Sequence, residues 1–540
     1  MKRALQSTQR PVLPARHRVL AALTALISFA IYSTYSFFQY KHFVTPSWDL
    51  GIFSQLAQAY ARGEFPPIVP IKGAGFNLWG DHFHPILIVL APFYWAFPSP
   101  ATLLYVQNAL VALSIYFLAL FALRLLKPIP ALLISTAYAL SYGVQNAISV
   151  QFHEVAFALP FLVLSLGNLA CARFTPQPSL QVRKAVLWAM PLVFVKEDLG
   201  ITVLAIGVVA LIRTRSLPAL FNVLVPLRSE NQKTPTIGER LSAASRTLLR
   251  RGALLESSML LIWGVAWAAL AVGFILPFFN NAGQFDYADK IDVGAAVADP
   301  LGAFSQLFYP WVKSKSLGLL LRAGAGAWIC SPIALVALPT LMWRFLSPNH
   351  GYWESTWHYS LVLMPVVFIA LVDAIQRRNN VVAEGKPHRT SGSASVRYSA
   401  RDLHLFDKPA FQWVFSAVAF GVAAAMLPQA PLWSLTKPAF ATTQLSATDQ
   451  MKQQAVDAIP AGAVVASDLS ILTYLVPEHT VYWISHEGEP APDYVVIDRA
   501  GTAWGGNPPK DPASYANERY PANYQVERQI GSIFIVKRVE

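Results

Sequence analysis

With 540 residues, 54% of them hydrophobic, only 13% charged and a mean hydropathy of +0.40, the chain carries more apolar surface than a water-soluble globule can bury. Its formal net charge of +12 would suit nucleic acid, but the basic residues fall in connecting segments rather than on one folded face, so they report membrane topology instead. No nucleic-acid partner is expected. The apolar runs are continuous and do not alternate, which excludes a barrel and leaves an α-helical polytopic membrane protein.

In chain order, the first apolar run, Val19 to Tyr40, is too long for a signal-peptide core and lacks a small-residue cleavage site, so it reads as a retained helix. Lys2, Arg3, Arg10, Arg16 and Arg18 precede it and place the N-terminus inside. Residues 41–100 then form the first outer loop, in which the short, Pro-bounded piece Ile86 to Phe97 lies at the interface or re-enters. Counting that piece as a span would reverse every later assignment. Ala101 to Leu126 crosses next. Ala185 to Ile212 carries Lys196-Glu197-Asp198 near its middle, costly in lipid, and reads as a broken pair of helices around a wet pocket. Leu254 to Phe279 is a further span. A second broken pair is expected between Leu317 and Phe345, and helices near 359–376 and 409–427 complete about eleven spans.

Two long basic connections, one from Arg213 to Arg251 and one from Arg377 to Lys408 with Ser391-Gly392-Ser393-Ala394-Ser395 inside it, are expected to be cytoplasmic. Residues 1–427 form the membrane domain. From residue 428 the composition becomes that of a small extracytoplasmic α/β domain, 428–540. Its strands are expected at Ala463 to Ala466, Thr480 to Ile484, Tyr494 to Ile497 and Ser532 to Val536, and its helices at Met451 to Ala458 and Leu469 to Leu475. The two cysteines, Cys171 and Cys330, lie in apolar runs and support neither a disulfide framework nor a zinc site.

The chemistry-bearing residues gather on the outer side. Asp49, in Ser47-Trp48-Asp49-Leu50-Gly51-Ile52-Phe53, follows the first helix among aromatic residues that strip it of water and make it a better general base. The competing reading is a helix cap, since Ser47 and Asp49 precede the amphipathic stretch Ile52 to Tyr60. Asp81, His82 and His84 could bind a metal, could hold a phosphate at a helix start, or could be ordinary loop residues. His153 and Glu154, Glu197 and Asp198, and His358 and Tyr359 fall on the same side, although Glu197 could pair structurally with Lys196 or Arg322. No Walker loop, dinucleotide fingerprint or nucleophile elbow is present in a suitable context.

Trp48 to Phe53, His82-Phe83-x-Pro85 leading to Ala91-Pro92-Phe93-Tyr94, and Ile459-Pro460 through Val465 with Asp493-Tyr494-Val495-Val496 together resemble a family of predicted bacterial and archaeal membrane proteins, domain of unknown function 2079. That family looks like a branch of the C-type-fold glycosyltransferases, which take sugars from polyprenyl-phosphate donors. In that superfamily an acidic residue just after the first helix is the catalytic base, and Asp49 matches it. The related aminoarabinose transferases carry Lys-Pro-Pro-Leu where this chain has His82-Phe83-His84-Pro85, so a lysine contact to donor phosphate is not carried over at that site. The leading expectation is inverting sugar transfer from a polyprenyl-phosphate-linked donor to a glycan or lipid acceptor, at the outer face of the cytoplasmic membrane. Asp49 would act as base, His82 and His84 would stabilise the phosphate, and a divalent metal would be optional. A transporter or flippase of a lipid-linked precursor, and a non-catalytic envelope-assembly scaffold, are the alternatives.

Overall fold

The computed structural model describes residues 13–173, 175, 177–214, 252–287, 298–376, 408–486 and 488–539. Lys2, Arg3 and Arg10, the basic stretch 215–251 and the linker 377–407 with its Ser391–Ser395 run lie outside the described residues. Six helical stretches are long and apolar enough to cross a membrane: Ala15–Lys41 (α1), Pro100–Leu125, Glu154–Ala172, Ala253–Phe279, His358–Ile375 and Pro409–Gln429. Three shorter apolar helices, Pro85–Ala96, Leu199–Arg213 and Pro332–Leu346, add to them. By that measure the described residues give six candidate spans where about eleven were expected.

Burial along α1 is inverted relative to a soluble protein. On α1 the buried face holds Ala21, Ala25, Ser28, Ser36 and Gln39, while Val19, Leu23, Leu26 and Ile27 point outward. Small and polar residues let helices approach where lipid, not water, covers the apolar side. After α1 come Trp48–Ala61 (α2), Pro100–Leu125 (α3), Ala158–Ala172 (α4), Leu199–Arg213 (α5), Gly252–Leu270 (α6) and Leu363–Ile375 (α7). Between α5 and α6, a Cβ on Gly200 would meet the Gly264 carbonyl at 2.7 Å, so the pair packs backbone to backbone. Helix α3 starts cleanly because Pro100 occupies its first turn and Ser99 Oγ accepts the Ala101 N–H at 3.3 Å.

The piece from Ile86 to Phe97 forms a 3-10 turn, Pro85–Leu90, and a short helix, Ala91–Ala96. Leu87, Leu90 and Tyr94 are buried while Phe93, Trp95 and Phe97 are exposed, so both faces of this element are apolar. The broken pairs are present as well. A 3-10 turn, Met190–Phe194, stops before Lys196 and α5 resumes at Leu199. In the second pair, Trp311–Ala323 and Leu338–Leu346 flank two 3-10 turns. At the far ends of α4, α5 and α7 the fully buried Asp373 is paired with Arg213, accepts from Ser331 Oγ at 2.5 Å and from Gln376 Nε2 at 2.7 Å, and offers its carbonyl to Arg173 at 2.6 Å.

The C-terminal part contains one five-stranded sheet, order β2-β1-β3-β5-β4, from strands Val464–Ser467 (β1), Thr480–Trp483 (β2), Tyr494–Asp498 (β3), Asn523–Ile530 (β4) and Ile533–Val539 (β5). β2, β1 and β3 are parallel; β5 is antiparallel to β3 and β4. Its helices are Ala447–Asp457 (α8) and Pro512–Arg519 (α9), with a single turn at Leu472–Leu475. Helix α8 begins earlier than expected because Ser446 and Asp449 form a reciprocal capping box. The turn at Leu472 begins later because Asp468 accepts the Ser470 N–H and holds the chain out of helix.

The sheet docks on α2. Gln55 Nε2 donates to the Val481 carbonyl at 2.8 Å, Gln58 Nε2 reaches the Val476 carbonyl at 3.3 Å, and Tyr474 donates to the Tyr40 carbonyl at 3.2 Å. His42 Nδ1 lies 2.9 Å from Asp449 Oδ2 and its Nε2 2.9 Å from the Thr442 carbonyl. The sheet therefore sits at the end of the bundle where α1 finishes.

Candidate active site

Helix α2 starts at Trp48, so Asp49 lies in its first turn, where a carboxylate is favoured by the helix dipole. Neither residue of the competing cap reading fills that role: Ser47 is at the cap position but makes no side-chain cap bond, and its hydroxyl is buried without a partner. Asp49 is instead held from across the bundle. Its Oδ2 accepts from Gln151 Nε2 at 2.7 Å and lies 3.2 Å from His153 Nε2. Gln151 Oε1 takes the Leu50 N–H at 2.9 Å, fixing the first turn to the same side chain. Gln107, on α3, locks this arrangement by donating to the Gln151 carbonyl and accepting the His153 N–H, both at 2.9 Å. The Asp49 side chain stays 33% exposed, so a carboxylate fixed from behind still opens to solvent.

From His153 the polar groups continue sideways. Its ring stacks on that of His358, centroids 3.4 Å apart. The next residue, Glu154, is buried and accepts from Lys196 Nζ at 2.7 Å. Glu197 pairs with neither Lys196 nor Arg322, as its structural reading had it. It lies 2.8 Å from His82 Nδ1 and accepts the Phe83 N–H at 3.0 Å, while Arg322 Nε bonds the Gly318 carbonyl. Asp81 turns to the far side of His82, where Lys72 Nζ lies 3.2 Å and the Tyr287 hydroxyl 3.1 Å away.

The electrostatics follow from these partners. Burial raises the Asp81 carboxyl, but His82, Lys72 and Tyr287 outweigh it and hold it below its ordinary value. Burial and Lys196 oppose the charge on His82, yet Glu197 and Asp81 carry its pKa above the ordinary value. His84 has no such partner at hydrogen-bond distance, and burial pushes its imidazole down to about 4, so the ring is neutral near pH 7.

Asp49, His153 and His358 thus come together, Glu154 and Lys196 adjoin them, and Glu197 with His82 follows. Asp81 is peripheral. His84 packs edge-on against Phe53, and Tyr359 joins the cluster through His358, ring centroids 4.2 Å apart, while also packing against Tyr352 and Trp343. Buried ring nitrogens Nδ1 of His84, His153 and His358, and Oδ1 of Asp198, have no hydrogen-bond partner among the described residues. Of the metal candidates Asp81, His82 and His84, the first two turn to different partners. No group of three or more His, Cys, Asp or Glu among the described residues could hold a metal ion. Gln107 and Gln151 were missed in the sequence because amides carry no charge. The available signal was Gln107, a polar residue in the middle of an apolar run.

A multi-pass membrane protein with a buried polar belt at one end of its helices is the class these features define. The chain belongs to the family described as predicted membrane protein (DUF2079), whose profile matches residues 39–532. No curated protein matches it. It is similar to the solved archaeal oligosaccharyltransferase AglB from Archaeoglobus fulgidus in complex with an inhibitory peptide and a dolichol-phosphate, at 13% identity over 96% of this chain and 74% of that one, TM-score 0.40. The Archaeoglobus fulgidus oligosaccharyltransferase complex with Zn and sulfate gives 13% identity over 95% and 72%, TM-score 0.39.

Proposed function

We propose that this protein transfers a sugar, with inversion, from a polyprenyl-phosphate donor to an envelope acceptor at the outer face of the cytoplasmic membrane. The observation that carries the reading is Asp49, clamped through one carboxylate oxygen by Gln151 and His153 and still one-third exposed. A base so held keeps its orientation while its other oxygen is free to meet a hydroxyl. Asp49 takes the acceptor O–H proton, the acceptor oxygen bonds to the anomeric carbon, and the bond from that carbon to the phosphate oxygen breaks. Polyprenyl phosphate leaves. The phosphate is stabilised by His82, whose positive charge Glu197 and Asp81 favour, and by His84 with its unpartnered Nδ1. No step is routed through a metal.

The same reading sets the topology: about eleven crossings, the N-terminus inside, the membrane domain 1–427, and the sheet domain 428–540 outside. The test is Asp49→Asn, purified and supplied with a polyprenyl-phosphate sugar. A general base contributes about 10²- to 10⁴-fold, so turnover should fall by that much while the protein stays folded and inserted. Near-normal turnover removes Asp49 from the mechanism. Movement of the lipid-linked sugar across the bilayer with no change in its glycosidic bond replaces transfer by flipping.

A further inference from the structure

Trp48 is the chain neighbour of Asp49, and the sheet domain closes on it. The Trp483 ring, at the end of β2, stands edge-on to Trp48 with centroids 4.7 Å apart, and His486 lies parallel to Trp48 at 6.2 Å. All three side chains are only partly buried. β2 is an edge strand: among the described residues no further strand pairs with its outer side, where Gln55 holds the Val481 carbonyl and the strand end at Trp483 stays partly open.

Around the end of that strand sit hydrogen-bonding groups that have no partner among the described residues. Glu489 is 6% exposed and both its carboxylate oxygens lack a partner; Tyr520 is 4% exposed and its hydroxyl lacks one. Arg519 Nε and His486 Nε2 are unpartnered as well. Arg519 joins the two groups, since its Nη2 donates to the His486 carbonyl at 2.8 Å while its charge acts on Glu489 and Tyr520. Burial pushes the Glu489 carboxyl up to about 8, so near pH 7 it can both donate and accept.

Buried polar groups left without partners are costly and are ordinarily satisfied. Partly exposed aromatic rings linked through Arg519 to unsatisfied donors and acceptors suit a ligand with an apolar face and many hydroxyls. We infer that Trp48, Trp483 and His486, with Arg519, Glu489 and Tyr520 behind them, form a subsite for a polyhydroxylated glycan, the acceptor side of the transfer centre at Asp49. The inference rests on the glycosyl-transfer reading for its placement at the acceptor, but binding is measured without turnover.

Full-length protein in lipid nanodiscs is applied to an array of defined hexose, hexosamine, deoxyhexose and pentose oligosaccharides. Wild-type protein should retain one structural group of oligosaccharides. Trp483→Phe, which keeps the packing, and Glu489→Ala should each weaken that retention about tenfold, and exposed Lys510→Ala should not. Thermal unfolding of each variant checks that the sheet domain remains folded. No retention anywhere on the array overturns the proposal, as does equal retention by folded Trp483→Phe and Glu489→Ala. Retention lost in these variants, in a protein that transfers no sugar, keeps the glycan site and rejects the transfer reading alone.

Discussion

Gln151 is the residue on which the candidate base depends most directly, because one amide serves both the Asp49 carboxylate and the Leu50 N–H. Gln151→Leu keeps the volume and removes both bonds. A buried donor left unsatisfied costs about 1–3 kcal/mol, so the melting temperature should fall and sugar transfer should drop further than the stability loss explains. Unchanged transfer would mean that Asp49 needs no orientation from behind. His82 gives a pH test. Facing Lys196, Glu197, Asp81 and Tyr287, its imidazole titrates above 6.5 in the folded protein. The contribution of the pair with Glu197 is therefore complete below 6.5 and lost as pH climbs through the folded value. Thermal unfolding between about pH 6 and 9 should show stability falling, and His82→Gln should flatten that part of the curve. At this scale the sequence made charge legible: Asp49, His153, Glu154 and Glu197 stood out against an apolar background. Who pairs with whom was not legible, because Glu197 chose His82 over the adjacent Lys196 through a fold that joins positions 115 residues apart.

Among the elements, α2 is the most tightly constrained. A Cβ on Gly51 would meet Leu472 Cδ2 at 2.7 Å and Ile71 Cδ1 at 2.9 Å, so helix, sheet domain and loop converge on one missing methyl group. Gly51→Val should overpack this junction by about 1–3 kcal/mol, read as a lower melting temperature and earlier proteolysis between α1 and α8. Gly80 is stricter, since its Cβ would lie 2.6 Å from the backbone of Asn280, which cannot rotate aside. Gly80→Ala should displace Asp81 and His82 and reduce transfer; full activity would show that the contact yields cheaply. The spans were legible because long apolar runs have one explanation. Strand β4 was not, since on this edge strand most side chains are exposed and it has no apolar run to read. Helix α9 was missed for the same reason, being a polar eight-residue element with two buried positions, Pro512 and Ala516.

For the whole molecule, the contacts of Tyr40 with Tyr474, His42 with Asp449 and Gln55 with Val481 place the sheet and α8 at the end of the bundle opposite the start of α1. In a Cys171→Ser, Cys330→Ser background, a membrane-impermeant maleimide added to intact cells should label Asn507→Cys and should label Arg16→Cys only after the membrane is opened. The reverse pattern would invert the proposed orientation. Composition alone made the membrane class and the polar C-terminal part legible. The docking was not, because apart from Asp449 its acceptors are backbone carbonyls, which no side-chain pattern announces.

That docking has a consequence for how the protein is made. Gln55 and its acceptor Val481 are 426 residues apart, and His42 and Asp449 are 407 apart. At about 5–20 residues per second, roughly 20 to 85 seconds of synthesis separate the emergence of α2 from that of the strand that covers it. Through that interval Gly51, which meets Leu472 in the finished protein, and Gln55, which meets Val481, have nothing from the C-terminal part beside them. The growing chain must shelter this helix against the bilayer surface or a holding chaperone, and nascent chains halted before Thr480 should carry inserted helices with α2 still open to protease.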